Sequence, residues 1–136
     1  MAAIVAVQAG GLMTTGRLDR KAGWLGMAKV ASMMGTCRRR NYGAVVVVED
    51  VLASSGYTGA PRGMPHCLDL GECYRVKHNV PSGEHYDMCR SVHAEMNVII
   101  NAARVGDQLL GGTLYLYVPE GGIDKPCRLC ARMLVN

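Results

Sequence analysis

The hydrophobic pattern divides the chain into short periodic stretches around one long aperiodic segment. Trp24, Met27, Ala28 and Ala31 fall at i, i+3, i+4 and i+7, one apolar face of a helix. Asp19 is placed as its N-cap and Gly35 as its stop. Ala44-Val45-Val46-Val47-Val48 is a continuous, mostly β-branched run, the pattern of a strand buried on both faces. Glu49-Asp50 breaks it, and a second strand runs from Val51 to about Tyr57. So short a connection makes the pair an antiparallel hairpin. From Thr58 to Arg90 no period holds. That stretch contains three of the five prolines, three of the six cysteines and three of the four histidines. A connection of this length needs an anchor other than a hydrophobic core, or it is a binding loop. Periodicity resumes at Ser91, an N-cap candidate, with Met96, Ile99, Ile100 and Ala103 on one helical face and Gly106 as the stop. A third strand spans Thr113 to Val118. After the loop Glu120 to Lys125, Pro126 opens a last helix with Cys127, Cys130, Ala131 and Leu134 on one face. The order α-β-β-α-β-α predicts a mixed α/β class with helices covering a sheet.

Composition narrows the picture. The 136 residues make one domain, large enough to bury its own core. With 49% apolar and 19% charged residues, disorder and collagen-like repeats are excluded. The longest apolar runs are too short to cross a bilayer as a helix, so no membrane partner is expected. Met1 to Gly16 carries no charged side chain, and hence no basic region of a secretory signal. Residues 1–16 are expected to form a flexible tail ahead of a domain at 17–136, in the cytoplasm. The net charge of +4 suits an anionic small ligand and falls short of a dedicated nucleic-acid face, so no nucleic-acid partner is expected. Taken alone, Arg38-Arg39-Arg40 reads as a solvated turn.

Six cysteines in a reducing compartment point to metal or catalysis more than to disulfides. Cys127-x-x-Cys130 alone is ambiguous among a zinc ribbon, a redox pair and chance. Alone, His93 would more often be a satisfied core histidine, and Glu95 a helix-surface acid. Together, His93-Ala94-Glu95 and Pro126-Cys127-Arg128-Leu129-Cys130 match the H-x-E…P-C-x-x-C signature of zinc-dependent deaminases. Residues three apart share a helix face, so Cys127 and Cys130 can grip one ion, and a helix N-terminus favours the thiolate that binds metal. With His93 the ligands number three, and the fourth tetrahedral position stays open for water, as a catalytic zinc requires. Glu95 lies close enough to handle that water's proton without ligating.

The chain resembles the deoxycytidylate deaminase family of the cytidine deaminase superfamily. The matching stretches are Thr36 to Val45, Gly56-Tyr57-Thr58-Gly59-Ala60-Pro61-Arg62-Gly63, His66-Cys67, Cys89 to Asn97, Thr113-Leu114-Tyr115 and Pro126 to Ala131. The resemblance implies a three-layer α/β/α sandwich with a mixed sheet, short at the C-terminus because relatives continue with further strands and a helix. It implies hydrolysis of dCMP to dUMP and ammonia with Zn2+, a homo-oligomer, often a hexamer, and in some members dCTP and dTTP effectors. Thr58 stands where the family loop usually has an Asn that contacts the sugar. Ala94, Arg39 and Arg40 are further substrate-contact candidates by the same likeness. Arg62, in a Gly/Pro-rich loop, is a candidate phosphate contact. The link Glu120 to Lys125 is longer than usual for the family.

Cys37, Cys67, Cys73 and Cys89 remain, the number that a closed structural zinc site needs, with His66 or His85 as possible substitutes. Some relatives place a second zinc on cysteines matching Cys37 and Cys67. The plain alternative is four buried, weakly polar side chains. Two other functions compete: deamination of another cytosine nucleoside, nucleotide or base, and a non-catalytic zinc-stabilised binding module. A tRNA-adenosine enzyme would want a broader basic surface.

Overall fold

The computed structural model describes residues 3–6 and 16–136. Its elements run β1 (Ala3–Ala6), α1 (Arg20–Ser32), β2 (Gly43–Val48), β3 (Val51–Tyr57), α2 (Cys67–Leu70), α3 (Tyr74–Lys77), α4 (Ala94–Val105), β4 (Thr113–Tyr117) and α5 (Arg128–Val135). The expected order is present, preceded by one more strand. Ala3–Ala6, within the segment expected as a tail, pairs in parallel with β4. Residues 1, 2 and 7–15 of that segment lie outside the described residues.

One four-stranded mixed sheet results, in the order β1-β4-β2-β3. The hairpin forms where it was predicted. Its turn residues Glu49 and Asp50 both have positive φ, 48° and 61°, the twist that joins two strands through two residues. β2 also pairs antiparallel with β4 and so sits in the sheet's interior. Its alternation decides the layers. Ala44 and Val46 pack with Ala94 and Val98 of α4 and with Leu114 and Leu116. Val45 and Val47 point the other way, to Ala28 of α1 and Tyr115. The run without polar residues is therefore a strand covered on both faces.

Two glycines set how closely the helices approach. A Cβ on Gly43 would collide with the backbone of Ala28 and Ser32 in α1. A Cβ on Gly56 would lie 2.6 Å from the Ala94 carbonyl oxygen and from the Val98 nitrogen. Three polar contacts then fix α4 on β3. Ser54 Oγ donates to the Val98 carbonyl at 2.8 Å, Asn97 Nδ2 to the Tyr57 carbonyl at 2.7 Å, and Asn101 Nδ2 to the Ser55 carbonyl at 2.8 Å.

The helix predictions hold in position and shift in face. In α1, Asp19 caps as expected, accepting from the Ala22 amide, but Leu25 packs with Trp24 while Met27 is exposed. In α4 the buried residues are Ala94, Glu95, Val98 and Ala102, whereas Ile100 and Ala103 are exposed. Contact this close to Gly56 admits small side chains, so the bulkier apolar stripe is turned away. The cap of α4 is His93, not Ser91, which is buried beside the Cys67 thiol. The aperiodic stretch contains α2, α3 and a 3-10 turn at Tyr86–Met88. Among the described residues, no helix is long and apolar enough to cross a membrane.

Gly56→Ala and Gly43→Ala are each expected to cost about 1–3 kcal/mol by overpacking. Gly23→Ala, inside α1 with open space around it, is expected to gain about 0.5–1 kcal/mol. Urea unfolding of the three variants checks both signs.

Candidate zinc centre

The helices α4 and α5 start beside each other, and the cluster forms at their first turns. His93 is the N-cap of α4 and Cys127 the N-cap of α5, with Cys130 one turn into α5. Both caps have extended backbone. His93 Nδ1 lies 3.5 Å from Cys127 Sγ and 3.5 Å from Cys130 Sγ. The three ligand atoms all fall within 4.8 Å of one another. Tetrahedral zinc, at about 2.3 Å from sulfur and about 2.0–2.1 Å from nitrogen, sets such atoms about 3.6 Å apart. The donors are thus spaced for the ion, and two sulfurs with one imidazole are a soft set that suits zinc.

The electrostatics agree. Burial pushes the Cys130 thiol up, and the neighbouring Glu95 carboxylate and Cys127 sulfur push it further. Thiolates at such a place need a cation. The backbone N–H of Cys130 also points at Cys127 Sγ, at 3.5 Å, as helix N-termini favour. Glu95 is 5% exposed, on the buried side of α4 beside Cys130. It adjoins the three donors without being one of them.

His93, Glu95 and Cys127 line a cavity of about 580 Å³, with Cys130 buried behind it. Arg39, Arg40, Arg75, Arg90, Lys125 and Arg128 share its wall, and Glu95 is its one acid. The sequence-based candidates divide here. Arg39, Arg40 and Thr58 line the cavity. The Thr58 hydroxyl is engaged with Tyr42, accepting from its amide at 3.1 Å and donating to its carbonyl at 3.4 Å. Arg62 is exposed elsewhere, donating to Asn101 Oδ1 at 3.4 Å, because its loop folds back along α4. Ala94 is fully buried in the core against the sheet. Its side chain is what the tight seat on β3 admits.

Cys37, Cys67, Cys73 and Cys89 all line the cavity. Among the described residues, His93, Cys127 and Cys130 are the group gathered closely enough to share an ion, and these four cysteines form no such group. Burial pushes the Cys89 thiol up. His66 Nδ1 is paired with Thr36 Oγ1 at 3.1 Å. His85 has a left-handed backbone, φ 45°, and its carbonyl accepts from Arg75.

Sequence reasoning missed Arg90, Lys125, Arg128 and Tyr86 as cavity residues. Arg90 and Arg128 stand inside the matched motifs, so their positions were readable. Lys125 depends on the rim loop. The Ile123 amide donates to the Tyr42 hydroxyl at 2.8 Å, which pins that loop over the cavity. Tyr86 stands perpendicular to His93, with ring centroids 4.8 Å apart. Burial pushes its hydroxyl up, Cys127 adds to the shift, and Arg75 opposes it.

The model of the cytidine and deoxycytidylate deaminase zinc-binding region matches residues 20–136. The chain belongs to this deaminase family. It is 32% identical over 115 residues to the deoxycytidylate deaminase of Mycobacterium phage D29, covering 82% of each chain. It is 31% identical over 105 residues to the deoxycytidylate deaminase of Schizosaccharomyces pombe, which covers 77% of this chain and 30% of that one. The dCMP deaminase of cyanophage S-TIM5, solved with dCMP and dUMP, superposes with a TM-score of 0.60. That match has 23% identity and covers 84% of this chain and 71% of the other. It shows the shared cytidine deaminase-like fold.

Cys130→Ser or His93→Ala is expected to lower the zinc affinity of this centre sharply, whereas Cys73→Ser leaves the affinity of this centre unchanged, as measured by chelator competition. Each ligating thiol gives up a proton on binding, and Cys130 holds its proton tightly. Zinc affinity therefore rises with pH, and a titration showing the reverse slope would contradict the ligand set.

Proposed function

We propose that this deaminase hydrolyses dCMP to dUMP and ammonia. The observation that carries the reading is a single cavity joining Glu95 and two of the three candidate donors, His93 and Cys127, to a wall of cations. A nucleoside needs only the first half of that cavity. A nucleotide brings a phosphate, and Arg39, Arg40, Arg90, Lys125 and Arg128 supply complementary charge.

His93, Cys127 and Cys130 would hold the ion, and zinc when bound supplies the Lewis acidity that makes a water nucleophilic near neutral pH. Glu95 handles the protons. Its carboxylate takes a proton from the water that adds to C4 of cytosine and delivers it to the ring nitrogen. The second proton from that water then passes through the carboxyl to the departing amine. C4 gains an oxygen, the C4–N bond breaks, and ammonia leaves. The burial of Glu95 suits this work, since a carboxylate shielded from bulk water keeps its protons directed at the substrate. Arg90 precedes His93 by three residues and Arg128 follows Cys127 directly. The cations are therefore built into the same segments as the metal donors.

The homo-oligomer and the dCTP and dTTP effectors that the family likeness suggests belong to this proposal too, as does a second zinc on the four remaining cysteines Cys37, Cys67, Cys73 and Cys89, of which the likeness suggests Cys37 and Cys67. Zinc analysis settles the last. Two ions per chain support the second site, and one ion per chain defeats it.

A panel of dCMP, deoxycytidine and dCTP, read by ammonia release, tests the reading. dCMP is expected to lead by kcat/KM, and equal turnover of deoxycytidine would defeat the phosphate argument. Glu95→Gln should keep its zinc and lose about 10²–10⁴-fold in kcat. Arg90→Ala should raise KM for dCMP while leaving deoxycytidine unaffected. No ammonia release from any pyrimidine nucleotide would favour a binding module.

A further inference from the structure

The residue Arg75 is buried, 3% exposed, although its helix α3 is a single turn at the surface. A guanidinium is seldom buried without use of its donors. Here Nη1 donates to the His85 carbonyl and Nη2 to the Pro81 carbonyl, both at 2.6 Å. Its own carbonyl accepts from the Val80 amide at 2.9 Å. One residue thus ties down the loop from Asn79 to His85. That loop contains two non-glycine residues in the left-handed region, Asn79 with φ 52° and His85 with φ 45°. Such backbone persists where its surroundings hold it.

The residue that follows this loop is Tyr86. The guanidinium carbon of Arg75 stands 5.1 Å from the Tyr86 ring centroid, within range of a cation–π contact. The Tyr86 ring also meets the His93 imidazole, with centroids 4.8 Å apart and an interplanar angle of 85°. The contacts run from Arg75 to Tyr86 to His93, the ring whose Nδ1 lies 3.5 Å from both sulfurs. A ligating histidine depends on neighbours that fix its ring plane.

We propose that Tyr86, held in place by Arg75, is a positioning residue for His93 that sets the imidazole plane so that Nδ1 meets the metal. The proposal rests on the assignment of His93, Cys127 and Cys130 as zinc donors, and does not depend on which nucleotide is the substrate. The aromatic ring does the positioning. The phenol hydroxyl is dispensable for it.

The test uses the full chain and two readouts other than activity: zinc affinity by competition with a chromophoric chelator, and the visible spectrum of the cobalt-substituted protein. Tyr86→Phe is expected to match wild type in both. Tyr86→Leu should bind zinc about 10–100-fold more weakly and alter the cobalt bands. Arg75→Lys, which loses the two-pronged donor, should weaken zinc binding when Tyr86 is present and add little in the Tyr86→Leu background. Wild-type affinity and spectrum in Tyr86→Leu overturn the proposal. So does an Arg75→Lys loss of equal size with and without the Tyr86 ring. If Tyr86→Leu fails to fold, Arg75→Lys alone decides, and unchanged zinc affinity there overturns it. A wild-type chain that binds no zinc overturns the donor assignment as well, which separates the two failures.

Discussion

The constraint on which the rest depends is that two helices must begin at one point. His93 and Cys127 are helix caps before they are anything else, both with extended backbone, and Cys127 Sγ also accepts from the Cys130 amide. Their 3.5 Å separation from Nδ1 to Sγ is set by how α4 and α5 sit. The position of α4 is in turn set by Gly56, where its backbone rests on β3, and by Ser54, Asn97 and Asn101, which bond one structure to the other. A shift of α4 would carry His93 and Glu95 together, since both belong to its first turn. The sheet therefore acts as the ruler for the donor spacing.

The cavity wall has a different origin. Much of it comes from segments without periodic structure, held by single long-range contacts. Tyr42 is the busiest of these residues. Its amide and carbonyl engage the Thr58 hydroxyl, its carbonyl also accepts from the Thr58 amide, and its hydroxyl accepts from Ile123. One tyrosine thus joins the entry to β2, the exit from β3 and the rim loop that brings Lys125 to the cavity. Arg75 plays a similar part for the loop before Tyr86.

Those two modes explain what the chain revealed before its structure was known. The hairpin, the helices α1, α4 and α5 and the grouping of His93, Cys127 and Cys130 were legible because each rests on a local pattern: β-branched runs, i and i+4 faces, and the short His-x-Glu and Cys-x-x-Cys spacings. The buried face of α4 was misread because Met96, Ile99 and Ile100 outweigh alanines in any hydrophobic pattern, and the decisive residue, Gly56, stands on another element. The strand at Ala3–Ala6 was missed for want of turn signals and charge alternation around it. Arg62 was favoured over Arg90 and Lys125 because its loop looks built for an anion, while the fold alone decides which loops face the cavity. Tyr86 and Arg75 gave no local sign, since their partners are brought to them by the fold.

Cap residues that serve as metal donors, as proposed for His93 and Cys127, would tie the lifetime of the chain to the supply of its ion. A ligand that binds only the folded form adds stability in proportion to the logarithm of its free concentration, about 1.4 kcal/mol for each tenfold rise above its Kd. With zinc bound at the first turns of both α4 and α5, that increment bears on two helix starts at once. The amount of intact protein would then follow free zinc even where no substrate is present, so that a scarcity of metal would show first as lost protein and only second as lost catalysis.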